Sequence, residues 1–111
     1  LNVLELPARH GEGQLIALDD ATWQSLESRA LIPLRYVDAA GQPTQSWPEN
    51  PNGSRGGAAA LCDPSGRLFG LMPHPERHLD AVQHPQWTRL KKLPEHGDGF
   101  AVFQNAVKYF L

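Results

Sequence analysis

The reactive side chains of this sequence concentrate in one stretch, Met72-Pro73-His74-Pro75-Glu76-Arg77-His78. Histidine titrates near neutral pH without assistance, which suits it to general acid–base work. Glu76 stands two residues beyond His74. In an extended or proline-stiffened segment, residues i and i+2 point the same way. The carboxylate can then accept the imidazole Nδ1–H and leave Nε2 free as a base. That is the base-and-orienter half of a nucleophilic triad. The same residues also fit a plainer role: a histidine capping a short helix, with Pro75 in its first turn and Glu76 near the positive dipole end.

Four other groups compete for a chemical role. His74 and His78 are four apart, the spacing of two metal ligands on one helix face. A zinc hydrolase would need a third ligand from a loop histidine, and none is obvious, since His84 and His96 lie in loop-like sequence, so no metal is expected. His10, Gly11 and Glu12 form a glycine-rich loop whose side chains suit a ligand, a catalytic group or plain loop polarity. Cys62 ends an apolar run and precedes Asp63, which would raise rather than lower its thiol pKa. A strand-end or core cysteine is expected there. Asn50-Pro51-Asn52-Gly53-Ser54 is a compact turn-forming cluster, either a solvated loop or a surface that docks a partner.

These groups need elements to hold them. Val3–Leu6 reads as a short strand stopped by Pro7, and 15–18 as a second apolar run. Asp20 is a helix cap, and Trp23, Leu26 and Ala30 follow on one face. Ile32, Leu34 and Tyr36 alternate as in a strand, with Pro33 at its start or on an edge. Residues 43–57 predict a long loop. Two apolar runs, 58–62 and 68–72, flank Asp63-Pro64-Ser65-Gly66, which has the residue signature of a type I turn. They predict an antiparallel hairpin with a buried second strand. Residues 73–97 read as a surface excursion. Asp98 is placed to cap a last helix with Phe100, Phe103, Ala106, Val107 and Phe110 along one stripe and Lys108 in its final turn.

Composition narrows the class further. A chain of 111 residues suits one small domain. Ten Lys and Arg against 12 Asp and Glu give a formal charge of −2, which argues against nucleic-acid binding through phosphate neutralisation. No apolar run has the length of a membrane span, and no signal-peptide pattern opens the chain. A single cysteine rules out an intrachain disulfide, and a reducing, cytoplasmic setting is the natural reading. The mean hydropathy of −0.42 fits a folded soluble chain.

Taken in order, four motifs become specific. They are His10-Gly11-Glu12-Gly13; Arg35-Tyr36-Val37 followed by Gly41; Asn50-Pro51-Asn52-Gly53-Ser54; and Gly70-Leu71-Met72-Pro73-His74-Pro75-Glu76-Arg77. With the closing Phe103-Gln104-Asn105-Ala106, the chain resembles the glutamine amidotransferase part of phosphoribosylformylglycinamidine synthase over nearly its whole length. The resemblance implies a class I, triad-type glutaminase with a flavodoxin-like α/β sheet. Residues 1–111 would be the C-terminal part of that single domain, contributing several strands, a β-hairpin and a terminal helix.

The resemblance also implies roles. His74 would be the triad base and Glu76 its orienter. His10, Gly11 and Glu12 would lie near the glutamine pocket. Asn50, Asn52, Ser54 and Arg77 would face a partner. Glutamine would be the substrate, and ammonia would pass to a synthase subunit or domain that uses ATP and magnesium; this chain itself would carry no cofactor. The family's cysteine nucleophile sits in a glycine-rich elbow that this sequence does not contain, and Leu1 would begin roughly mid-domain. The isolated chain is therefore expected to be inactive and to need the N-terminal half of the domain, another chain or self-association to cover its apolar surface. Two rival readings remain: an inert amidotransferase-like module docking through loops 46–57 and 78–97, and the small metal-dependent hydrolase.

Overall fold

The computed structural model describes residues 3–9, 11 and 13–111 as a small α/β protein with two α-helices and a two-stranded sheet. The chain divides into two compact units, residues 10–72 and residues 1–9 together with 73–111. Among the described residues, no helix is long and apolar enough to cross a membrane.

In the 10–72 unit, helix α1 spans Asp20–Ser28. Its cap is Asp19, not Asp20: the Asp19 carboxylate accepts the Thr22 N–H at 2.7 Å. Two adjacent aspartates make either residue a plausible cap, and the first one takes the extended backbone that a cap requires. Trp23 and Leu26 face the core, but Ala30 lies beyond the helix end at φ 53°, where the left-handed turn stops the helix. Trp23, Ile32 and Ala58 form the core, with Leu15, Ala17, Leu26 and Leu61 packed against them.

The predicted strand at 32–37 is present only as isolated bridges, Arg35 with Ala58 and Val37 with Pro43. The bonds at these bridges are made by the flanking residues: the Tyr36 N–H donates to the Gly57 carbonyl, the Ala59 N–H to the Leu34 carbonyl, and the Thr44 N–H to the Tyr36 carbonyl. The hairpin does form: β1 (Ala60–Cys62) pairs antiparallel with β2 (Phe69–Leu71), Leu61 opposite Gly70. Asp63 anchors its turn by accepting from the Leu68 N–H at 2.9 Å and the Ser65 hydroxyl at 2.6 Å. These bonds, the Ser65 one first, hold the Asp63 carboxyl below its ordinary range. The second strand is not buried as expected. Leu68 and Phe69 are exposed, because among the described residues β2 has only β1 beside it.

The other unit contains three single 3₁₀ turns, Pro75–Arg77, Ala81–Gln83 and Trp87–Arg89, and helix α2 (Phe100–Tyr109). Segment 3–9 forms no strand ladder; its backbone groups bond to residues 74, 78 and 98 instead. Helix α2 has the anticipated apolar stripe, yet none of its residues is buried. Asp98 does not cap it. Gly99 holds the cap position without a side-chain bond, and the Asp98 carboxylate accepts the Glu5 N–H at 2.9 Å.

Candidate functional site

His74 sits between two prolines. A residue before proline is pushed out of the helical region, and His74 adopts φ −107°, ψ 88°. Pro75 then opens the 3₁₀ turn at a position that requires no N–H donor. The Arg77 N–H donates to the His74 carbonyl and the His78 N–H to the Pro75 carbonyl, both at 3.1 Å. This one turn swings Glu76 back towards His74. Nδ1 of His74 lies 2.6 Å from Oε1 of Glu76. The short-helix reading and the paired reading therefore hold together. His74 occupies the cap position of a short turn, but its ring bonds the carboxylate rather than the backbone.

The electrostatics follow from that contact. The hydrogen bond to His74 is the main cause that holds the Glu76 carboxyl below the usual glutamate range, helped by the residue's own backbone N–H. An ionised carboxylate only accepts, so Nδ1 carries the proton and a neutral ring keeps its lone pair on Nε2. Among the described residues nothing bonds Nε2, and the ring is 36% exposed. The pair can take a proton at Nε2 and return it, which is general base and acid chemistry for a nucleophile brought to it.

The other histidines of this unit are committed differently. His78 is buried, with Nδ1 2.7 Å from the Glu5 carbonyl. Nε2 of His84 pairs with the Glu5 carboxylate, and its Nδ1 accepts the Gln86 N–H at 3.1 Å. His74 and His78 do not share a helix face, because the turn between them is only three residues long. Among the described residues no three His, Cys, Asp or Glu side chains converge as metal ligands. An open cleft of about 650 Å³ lies beside the turn, lined among others by Arg9, Arg77, His78, Gln83 and His84.

Asn50, Asn52 and Ser54 lie in the 10–72 unit and work inward. The Asn50 amide donates to the carbonyls of Thr44 and Ser54, at 2.9 and 3.0 Å. The Asn52 amide donates to the Gly13 carbonyl at 2.8 Å, and its oxygen accepts the Ser54 hydroxyl at 2.8 Å. Asn50 and Ser54 are 2% and 0% exposed, so they shape the loop from within and present no polar atom to a partner. Arg77 is exposed on the same turn as Glu76. Gly11 is exposed with open space around it, while His10 and Glu12 lie outside the described residues. Cys62 is a half-buried residue of β1 whose N–H donates to the Leu31 carbonyl, as a strand residue should. Sequence reasoning did not single out Glu5, Pro7 or Asp98 as supports of the turn. Glu5 and Pro7 contribute carbonyls, which no side-chain pattern announces, but the glycines on either side of Asp98 are a sign of close backbone approach.

Residues 1–110 match the CobB/CobQ-like glutamine amidotransferase domain. The chain is 38% identical over 120 residues to phosphoribosylformylglycinamidine synthase subunit PurQ of Methanococcus maripaludis, covering 99% of the chain and 44% of that relative. It is 42% identical over 106 residues to the subunit of the same name from Dehalococcoides mccartyi, covering 96% of the chain and 39% of the relative. The chain thus spans about two fifths of the length of these curated relatives.

Proposed function

The chain belongs to the CobB/CobQ-like glutamine amidotransferase domain family, and from that premise we propose that residues 1–111 form the C-terminal part of the glutaminase of a phosphoribosylformylglycinamidine synthase. The 2.6 Å contact between His74 and Glu76 is the observation that carries the reading. A flavodoxin-like class I sheet, completed by further strands, would extend the hairpin.

In this reading His74 is the triad base and Glu76 orients it. A cysteine supplied from outside these residues gives its thiol proton to Nε2 of His74, and the thiolate attacks the side-chain amide carbon of glutamine. The C–N bond breaks, and His74 delivers a proton from Nε2 to the leaving nitrogen, releasing ammonia. A water then gives its proton to Nε2 and adds to the glutamyl thioester, and glutamate leaves as the thiolate is restored. Glu76 keeps the proton on Nδ1 throughout, so that Nε2 faces the reacting atoms in both steps. The glycine-rich loop around Gly11 would lie near glutamine, and Arg77 would face the synthase partner. ATP and magnesium belong to the synthase, which would turn the ammonia into an amidine for purine biosynthesis; no residue of this chain is assigned to them. The isolated chain would be inactive, since the base has no nucleophile to serve.

The test is ammonia release from glutamine by the full-length subunit assembled with its synthase. His74→Ala is expected to lower kcat by about 10³-fold or more, the scale for removing a triad member. Full activity in that variant would remove His74 from the mechanism.

A further inference from the structure

The turn that carries His74 and Glu76 is fastened by a closed ring of hydrogen bonds. On one side the His74 N–H donates to the Pro7 carbonyl at 2.9 Å, and His78 Nδ1 lies 2.7 Å from the Glu5 carbonyl. On the other side the Gly99 N–H donates to the His78 carbonyl at 2.9 Å and the Gly97 N–H to the Leu79 carbonyl at 2.7 Å. Asp98 closes the ring: its carboxylate accepts the N–H of Glu5, 93 residues away in sequence.

Two features show that the ring sets a position and does more than fill space. A Cβ on Gly99 would fall on the Pro75 carbonyl, and one on Gly97 would fall on the His78 carbonyl and ring. Gly99 has ordinary helical angles, φ −62° and ψ −24°, so clearance and not backbone freedom demands the glycine. Asp98 also forgoes a favourable alternative. It precedes a helix whose free N–H groups attract a carboxylate, yet α2 starts without a side-chain cap and the carboxylate goes to Glu5.

We infer that Asp98 is a positioning residue for the glutaminase reaction: through Glu5 and His78 it fixes the Pro75–Arg77 turn and so the placement of Glu76 against His74. This rests on the reading of His74 as the base. A misplacement of roughly 1 Å at a catalytic pair costs up to about 100-fold in rate.

The experiment uses the full-length subunit with its synthase and measures ammonia release from glutamine. Asp98→Ala is expected to lower kcat about 10- to 100-fold, with KM for glutamine changed by less than about twofold, since the interaction acts on the transition state. Asp98→Asn keeps an acceptor oxygen but loses its charge, and is expected to lower kcat by only about two- to fivefold. In Asp98→Ala the carboxyl ¹³C signal of Glu76, assigned by its loss in Glu76→Gln, should titrate higher than in the parent as its bond to His74 loosens. Parental kcat in Asp98→Ala overturns the inference, as does a raised KM with unchanged kcat. Should Asp98→Ala not fold, Asp98→Asn carries the test: a small fall in kcat at constant KM supports the role, and parental kcat overturns it. His74→Ala, run in parallel, separates the two readings. An inactive His74→Ala beside a fully active Asp98→Ala sinks the positioning role alone, whereas an active His74→Ala sinks the base assignment.

Discussion

Asn50-Pro51-Asn52-Gly53-Ser54 and His74-Pro75-Glu76-Arg77-His78 are both five-residue polar turns with proline in second place. They use that stiffness to opposite ends. In the first, the amide of Asn50, both ends of the Asn52 amide and the Ser54 hydroxyl are satisfied within the unit. In the second, His74 commits Nδ1 to Glu76, Nε2 has no bond among the described residues, and Arg77 is exposed beside it. A saturated polar network rigidifies, because each buried group would be costly to leave unpaired. A pair with one uncommitted, exposed nitrogen does little for stability and remains available for proton transfer. Polarity and a proline in second place do not separate the two turns; saturation of their hydrogen bonds does.

That contrast fails if the two turns respond alike to substitution. The largest effect is expected at Glu76→Gln in the full-length enzyme. Without the carboxylate the ring can turn or adopt the wrong tautomer, and kcat for glutamine hydrolysis should fall by roughly 10³–10⁴-fold. Its melting temperature should stay at the parental value, because the pair is exposed. A matching loss of stability would make this turn a structural one. Asn50→Ala should do the reverse. It strips donors from the carbonyls of Thr44 and Ser54 inside a buried cluster, which costs about 2–3 kcal/mol in urea unfolding. The glutaminase activity of the molecules that remain folded should be unchanged.

A smaller effect belongs to Gly57, which follows the Asn50–Ser54 turn. Its φ is +72°, and a Cβ there would meet the Tyr36 carbonyl at 2.7 Å. Gly57→Ala should therefore cost about 1–3 kcal/mol, through left-handed strain and displacement of the Tyr36 N–H that donates to Gly57. Parental stability in this variant would show that the loop tolerates movement and that its polar network is not the rigid element.

The sequence carried the hairpin, both helices and the His74–Glu76 contact, because each has a local cause: a turn tetrapeptide, an apolar period, a proline on either side of a histidine. It misled where the outcome depends on what lies opposite. The run 68–72 is apolar in type, but burial of β2 depends on what packs against it, and among the described residues only β1 is paired with it. Ile32–Val37 alternates correctly, yet it pairs only at the isolated bridges Arg35–Ala58 and Val37–Pro43. Asp98 has the composition of a helix cap and is claimed by a backbone N–H from the far end of the chain. The i, i+2 argument reached the right contact for His74 and Glu76 by a different route, a 3₁₀ turn in place of an extended strand.

The smallest effect is a difference in pH response between the two turns. No group in Asn50–Ser54 titrates, so its hydrogen bonds should persist as long as the unit is folded. Glu76 does titrate, and its carboxyl is held low by His74. A carboxyl whose folded pKa is depressed adds stability that is present above the unfolded value and is lost as pH falls through the folded one. Acidification should therefore protonate Glu76 and release the His74 ring below the ordinary glutamate range, while the Asn50 side-chain amide signals stay unchanged. Asp63, depressed by its bonds to Ser65 and Leu68, and Asp19, depressed by Thr22, should loosen the hairpin turn and the start of α1 over the same acidic interval. Carboxyl and side-chain amide NMR titrations of one sample read all of these together. A Glu76 midpoint at or above that of an unpaired glutamate would mean that the two side chains are not bonded in solution, and the contrast between the turns would lose its chemical half.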